Sequence, residues 1–108
     1  LGDFNPEALA AYRRAWHDPA TTTAMCNDYR AGATLDFEMD AQDLGRQIPC
    51  PSLVLYGGDG AMARAYDIAA TWAPHLAAMT CQPVPGGHFF VDSAPQETAR
   101  ALLGFLRS

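Results

Sequence analysis

Two short segments in the second half of the chain constrain the fold more than any other feature. Residues 52–56 form an apolar run that is closed by a Gly-Gly-Asp-Gly turn, and residues 79–84 are a second strand candidate. An apolar run without alternation is typical of a strand buried on both faces of a sheet. Residues 62–72, between the two segments, have helical spacing. A strand, a crossover helix and a second strand form a parallel pair, so we predict an α/β fold.

The end of the chain predicts an edge strand and a closing helix. Pro83 lies inside the second strand candidate, and Pro cannot donate to a hydrogen-bonded ladder on both sides. The last helix is predicted to begin at Ser93 or Ala94, and its predicted buried stripe consists of Ala99, Leu102, Leu103 and Leu106. Two strands are too few for a stable sheet that is covered on both faces. We therefore expect residues outside this chain, or another copy of it, to complete the sheet.

The first half of the chain is predicted to be helical. Asn5, followed by Pro and Glu, is a helix start, because Asn caps the helix and Pro fits its first turn. Asp18 and the Pro after it repeat the signal and predict a second helix over about residues 20–31. A third, acidic helix is expected over residues 34–44, and Gly45 is a natural stop.

A proline-containing segment separates the two halves. Residues 48–51 read Ile-Pro-Cys-Pro and are predicted to be a stiff connector, since each Pro also restricts the residue before it. We therefore divide the chain into a helical part, residues 1–47, and a βαβα unit, residues 48–108.

Composition and charge exclude several classes of partner. The net charge is -5 and no basic stripe is present, which argues against nucleic acid. No apolar run approaches the roughly 18 residues that span a bilayer, so we expect no membrane partner. The three cysteines have no close spacing, which predicts reduced thiols in a cytoplasmic protein, without a disulfide framework or a zinc site. The acidic residues 36–43 are interpreted as a solvated helix face, because a metal site would need oxygen ligands at a defined loop spacing.

The segment Pro-Gly-Gly-His-Phe-Phe, residues 85–90, carries the clearest chemical signal. It follows the last strand candidate and precedes the last helix. Ligands of open α/β sheets bind at the carboxyl ends of the strands, and imidazole groups change charge near neutral pH. A His after the last strand also follows the chain order of α/β-hydrolases. We predict that His88 is a general base; the alternative is a surface His between two packed Phe side chains.

A longer pattern resembles one particular family. Residues 25–32 read Met-Cys-Asn-Asp-Tyr-Arg-Ala-Gly, and together with the helices around them they resemble the cap of haloacetate dehalogenases. The resemblance continues through Ile-Pro-Cys-Pro, a strand ending in Leu-Tyr-Gly, then Gly-Gly-His-Phe and Ala-Pro-Gln-Glu-Thr. It implies the C-terminal part of an α/β-hydrolase fold: the end of a helical cap, then the last two parallel strands with their helices.

The resemblance also implies a reaction. In that family an Asp carboxylate displaces halide from a haloacid such as haloacetate, and a His activates the water that hydrolyses the resulting ester to glycolate. His88 matches this base, and Tyr29 matches the cap tyrosine that donates its hydroxyl to the departing halide. A cap-core aromatic is the alternative for Tyr29, as we expect for Tyr12 and Tyr56. The family implies a small haloacid as substrate, no metal, no cofactor and a homodimer.

Several parts of the family's machinery have no counterpart among these residues. The nucleophile, the arginines that hold the substrate carboxylate and the acid that orients the His all lie upstream in the family. Asp59 follows the first strand, where many other α/β-hydrolases place their triad acid. It is interpreted either as a solvated turn residue or as a partner of His88. Arg30 is predicted to be structural and to pair with Asp28 or a nearby acid.

Two further hypotheses stay open beside the dehalogenase. An epoxide or ester hydrolase could use the same scaffold, because a cap tyrosine can polarise an epoxide oxygen. The chain could also be an inactive fragment that self-associates through the apolar edge of the strand at residues 53–56.

Overall fold

The computed structural model describes residues 4–108, so the first three residues of the predicted helical part lie outside it. Two compact units are present, a helical unit that ends at Arg46 and an α/β unit over Gln47–Ser108. The helical unit contains α1 (Pro6–Trp16), α2 (Pro19–Gly32) and α3 (Leu35–Gln42). The α/β unit contains β1 (Ile48–Gly57), α4 (Ala61–Ala65), α5 (Ile68–Trp72), β2 (Leu76–Val84), α6 (Phe90–Ser93) and α7 (Pro95–Leu106).

The first two helices begin where their capping residues predict. The side chain of Asn5 accepts hydrogen bonds from the backbone N–H of Glu7 at 2.8 Å and of Ala8 at 3.3 Å. The side chain of Asp18 accepts one from the N–H of Ala20 at 2.9 Å. These bonds satisfy N–H groups that the first helical turn leaves without a partner. Gly45, which follows α3, has a φ of +86°, the left-handed conformation that commonly ends a helix. The three predicted helices are therefore confirmed.

The helical unit keeps its large apolar side chains at the surface. Within its described residues, none is buried. Phe37 is 72% exposed and Leu44 is 74% exposed. These side chains would have to be covered by other parts of a protein to contribute hydrophobic stabilisation, because that stabilisation scales with the apolar area removed from water.

The two strands of the α/β unit are parallel, as predicted. Their register runs from Ser52 opposite Met79 to Gly57 opposite Val84. The sequence predicted a connector at residues 48–51, and this prediction is wrong. The segment is the first part of β1, and the backbone N–H of Ile48 donates to the carbonyl of His75 at 2.8 Å. The register is irregular between residues 48 and 51, where two prolines lack the N–H groups that a regular ladder needs. Each strand has one neighbour within residues 4–108, so the edge position of β2 stays a prediction.

The burial predicted for β1 is only partly reached within residues 4–108. Residues 48–51 are exposed and residues 52–57 are only half-buried. The described sheet has two strands, so much of the β1 surface has nothing packed on it. The buried side chains lie at the ends of β2 and at the start of α7: Leu76, Val84, Ala94 and Thr98.

The single helix predicted over residues 62–72 is instead two short helices. Tyr66 is extended, with φ -133° and ψ 147°, and the side chain of Asp67 accepts a hydrogen bond from the N–H of Ala70 at 2.9 Å. Asp67 therefore caps a new helix at the point where the apolar spacing favoured continuation. A capping Asp inside a periodic segment was the signal for the break.

The last helix begins at Pro95, directly after the predicted start at Ser93 or Ala94, and it packs with a different face. Thr98 is buried and donates its hydroxyl to the carbonyl of Ala94 at 2.8 Å, while Ala101 and Phe105 are half-buried. The predicted stripe is exposed, and Leu106 reaches 74% exposure. The helix carries two apolar faces, and periodicity alone does not say which one packs against the sheet.

Within the described residues, no helix has both the length and the apolar character to cross a membrane. The thiols of Cys26, Cys50 and Cys81 are all free, and Cys81 is half-buried. Partial burial raises the pKa of Cys81, and the negative charge of Asp67 raises it further.

Candidate active site

His88 lies in the loop between β2 and α6, at the carboxyl end of the parallel sheet. Val84, the last residue of β2, is opposite Gly57, the last residue of β1, so the loop passes directly over both strand ends. This is the edge of a parallel sheet at which α/β proteins bind their ligands.

Two glycines give the His loop its path. Gly86 has a φ of +104°, a conformation that side chains other than glycine rarely adopt. At Gly57, a Cβ atom would lie 2.6 Å from the carbonyl carbon of Gly87 and 2.7 Å from the carbonyl oxygen of Gly86. The end of β1 therefore runs against the backbone of the loop that carries His88, and only glycine permits this approach. The importance of Gly57 was not predicted, although the Gly-Gly-Asp-Gly turn signalled an unusual backbone.

Asp59 binds the same loop through both its backbone and its side chain. Its N–H donates to the carbonyl of Gly86 at 3.0 Å, and its carboxylate accepts from the N–H of Gly86 at 2.9 Å. The neighbouring N–H of Gly58 donates to the carbonyl of Val84 at 2.9 Å, and the Arg64 guanidinium donates to the carbonyl of Asp59. Asp59 is thus neither simply a solvated turn residue nor hydrogen-bonded to the His88 imidazole in the part of the chain that the structure describes.

The His88 imidazole is exposed at the tip of the loop. It contacts the ring of Phe89 edge to face, with ring centroids 5.0 Å apart at 81°. No hydrogen bond from another residue in the range 4–108 engages its ring nitrogens. Phe89 is 59% exposed and Phe90 is half-buried, so one of the two flanking Phe side chains is packed within residues 4–108. The fold leaves the imidazole nitrogens available to a water molecule or substrate.

An open, mainly apolar depression of about 850 Å³ lies beside His88 and the residues of β1. Its walls include the side chains of Leu53, Leu55, Met62, Trp72 and Phe90. Among the described residues that line the depression, His88 and Tyr56 are the two with ionisable side chains. Within residues 4–108, β1 has one neighbouring strand, so this depression follows the uncovered surface of that strand.

Tyr29 belongs to the helical unit, where it lies on α2 and is 80% exposed. None of the described residues forms a hydrogen bond with its hydroxyl group. Tyr29 is therefore not a packed core aromatic within this unit, and its hydroxyl is available as a donor.

The neighbouring Arg30 has a different partner from the acid expected. Its guanidinium donates to the side-chain oxygen of Asn27 at 2.7 Å, and not to Asp28. Residues three apart share a helix face, whereas residues two apart do not. Arg30 is thus engaged within α2, in keeping with a structural role.

Known proteins resemble the chain over nearly its whole length. A fluoroacetate dehalogenase from Burkholderia sp is 52% identical over 103 residues, which make up 95% of this chain and 34% of that protein. A solved structure of a candidate α/β-hydrolase from Nostoc sp PCC 7120 superposes with a TM-score of 0.92 at 44% identity, covering 98% of this chain and 36% of that one. The chain has the fold of the C-terminal part of an α/β-hydrolase.

Two further α/β-hydrolase neighbours have other names. A candidate acyltransferase from Salmonella enterica has a TM-score of 0.90 at 33% identity, covering 98% of this chain and 35% of that one. A mutant of a candidate epoxide hydrolase from Pseudomonas aeruginosa has a TM-score of 0.86 at 33% identity, covering 99% of this chain and 37% of that one. No family model matches the chain.

The comparisons confirm the predicted fold class and the resemblance to haloacetate dehalogenases. The chain spans about a third of the length of the relatives that it matches and corresponds to the C-terminal part of this α/β-hydrolase fold. The proteins that it resembles include named hydrolases, a fluoroacetate dehalogenase and a candidate epoxide hydrolase.

Proposed function

We propose that the complete protein is a hydrolytic dehalogenase of short haloacids and that this chain supplies its water-activating base. The observation that carries the proposal is the 52% identity with a fluoroacetate dehalogenase over 95% of the chain. The exposed imidazole of His88, at the carboxyl ends of two parallel strands, supports it.

The proposed reaction has two displacements. A carboxylate oxygen from a part of the protein outside this chain attacks the carbon that bears the halogen; a carbon–oxygen bond forms and halide leaves. His88 then takes a proton from water, and the water oxygen adds to the ester carbonyl. The ester bond breaks, the imidazolium returns its proton to the departing alkoxide, and a hydroxy acid leaves. Splitting the reaction in this way is ordinary covalent catalysis.

We assign the halide to Tyr29, on the strength of the family resemblance. Tyr29 is 80% exposed, and its hydroxyl has no hydrogen-bond partner among the described residues. A phenol donates one directed hydrogen bond and adds no charge, so it stabilises the halide as negative charge develops on it.

Epoxide hydrolysis is the second candidate, because one neighbour of known structure is a candidate epoxide hydrolase with a TM-score of 0.86. The same base and the same phenol would serve, with the tyrosine hydroxyl donating to the epoxide oxygen in place of a halide. The two reactions are distinguished by substrate, since only the haloacid releases halide.

A hybrid enzyme tests the proposed function. In it, this chain replaces the matching third of the Burkholderia fluoroacetate dehalogenase. We expect the hybrid to release halide from fluoroacetate or chloroacetate, measured with an ion-selective electrode, and the isolated chain to release none. A hybrid that folds but turns over only epoxides would favour the second candidate. Sustained release by the isolated chain would contradict a nucleophile located elsewhere in the protein.

Replacing Tyr29 with Phe in the hybrid tests the halide assignment. We expect kcat for fluoroacetate to fall by about a hundredfold, the lower end of the range for losing one donor to a developing negative charge. The loss should be smaller for bromoacetate, because bromide is a better leaving group. Tyr12→Phe is the matched control and should retain the parent rate. Equal rates for the two variants on fluoroacetate would contradict the assignment.

A further inference from the structure

We propose that Asp59 is a positioning residue for His88 that acts through the backbone of the His loop and not through the imidazole. The inference rests on the proposed function, in which His88 is the base. It assigns to Asp59 a role different from both sequence interpretations, a solvated turn residue and an acid partner of His88.

The contacts of Asp59 converge on one residue of the loop. Its carboxylate accepts from the N–H of Gly86 at 2.9 Å, and its own N–H donates to the carbonyl of Gly86 at 3.0 Å. Gly86 thus has both of its backbone polar groups bound by a residue 27 positions away in the chain. Because Gly86 stands two positions before His88, these bonds fix the backbone from which the imidazole projects.

The conformation of Gly86 explains why such a restraint matters. Its φ is +104°, and glycine adopts positive φ values about as readily as negative ones. A glycine loop without external bonds would sample several backbone paths, and the imidazole would move with them. A carboxylate is a stronger acceptor than a neutral oxygen, so it holds the Gly86 N–H more firmly than a water molecule would.

The turn that carries Asp59 has hydrogen bonds of its own. The Arg64 guanidinium donates to the carbonyl oxygen of Asp59, and the N–H of Gly60 donates to the carbonyl of Gly57 at 3.1 Å. The turn after β1 is therefore fixed by its own bonds before it contacts the His loop. A turn that is fixed by its own hydrogen bonds can restrain the His loop, whereas a mobile turn would move together with the loop.

Substitution by Asn separates a positioning role from a charge-partner role. An Asn side chain keeps an oxygen that can accept from the Gly86 N–H, but it removes the negative charge. An acid that stabilises an imidazolium is not replaced by Asn, and the loss in a Ser-His-Asp enzyme is about 10⁴-fold. Ala removes both the oxygen and the charge.

Steady-state kinetics of the hybrid enzyme provide the first test. We expect Asp59→Ala to lower kcat by about tenfold to a hundredfold with little change in KM, because small misplacements of a catalytic group cost rates of this order. Asp59→Asn should restore kcat to within about threefold of the parent, since the bond to Gly86 is kept. Asp40→Ala removes an exposed carboxylate on α3 and is the matched control; it should retain the parent kinetics.

Two outcomes would overturn the proposal. If Asp59→Asn is as slow as Asp59→Ala, the charge is what matters and Asp59 is an acid partner. If Asp59→Ala keeps the parent kcat, Asp59 does not position His88.

Amide hydrogen exchange at Gly86, followed by NMR of the same hybrid, gives a readout that needs no activity. We expect exchange to accelerate by about tenfold or more in Asp59→Ala and to stay near the parent rate in Asp59→Asn, because exchange follows local opening of the hydrogen bond. Equal exchange in the Ala variant and the parent would overturn the proposal. A hybrid without dehalogenase activity that still shows the expected exchange pattern would count against the proposed function, not against the contact of Asp59 with the loop.

Discussion

Replacing His88 with Asn in the hybrid enzyme will lower steady-state halide release by a factor of about 10² to 10⁴, the range that a general base contributes. Asn is close to imidazole in size, so the loop should keep its path while losing the group that takes the proton from water. The measurement is the rate of halide release over many turnovers, with substrate well above KM.

A histidine outside the site serves as the control for this variant. His17 is exposed at the end of α1, and His17→Asn should retain the parent rate. A His88→Asn hybrid that keeps a rate within about tenfold of the parent would contradict the role of His88, because the loss would fall below what a general base supplies.

Replacing Gly57 with Ala will have the second large effect. The added Cβ would meet the backbone of Gly86 and Gly87, and neither can move aside as a flexible side chain would. We expect a loss of about 1–3 kcal/mol in the free energy of unfolding, typical of overpacking a close contact, together with reduced turnover because the His loop must shift. Thermal unfolding and kcat of the hybrid measure the two effects.

Gly104 offers a matched glycine for comparison. It lies within α7, and a Cβ atom there would have no neighbour within 4 Å. Gly104→Ala should therefore stabilise the protein by about 0.5–1 kcal/mol, as Ala does relative to Gly inside a helix. If Gly57→Ala unfolds like Gly104→Ala and retains full turnover, the end of β1 does not approach the backbone of the His loop closely.

The parts of the fold that sequence predicted are those set by local chemistry. Asn5 and Asp18 cap their helices with their own side chains, so the starts of α1 and α2 are encoded within a few residues. The parallel pair also followed from local patterns, because a strand, a helical segment and a strand in that order leave little choice of direction.

The parts that sequence missed depend on neighbours. The predicted packing face of α7 is one example. Thr98 is buried, whereas Leu102 and Leu103, which lie on a second apolar face, are exposed. The burial of β1 depends on how many strands lie beside it, and residues 4–108 supply one. A periodic pattern indicates which faces of an element are apolar, but not which of these faces packs against another element.

The candidate site divides in the same way. The position of the His88 loop followed from the glycines and from its place after the last strand, whereas the role of Tyr29 came from the family resemblance alone. The bond between Asp59 and Gly86 joins residues 27 positions apart, and no local pattern encodes it. Sequence located Asp59 near the right strand end, and only the fold identifies the atom to which its carboxylate binds.

The central claim is that His88 activates the water that hydrolyses an ester between enzyme and substrate. The most direct measurement mixes the His88→Asn hybrid with excess haloacetate and follows halide release together with the mass of the intact protein. The account predicts a rapid burst of about one halide per protein, after which release falls to the slow steady rate and the protein carries a carboxymethyl group, because displacement precedes the step that needs the base. A variant that releases no burst and carries no adduct, or that continues to release halide at the parent rate, would contradict it.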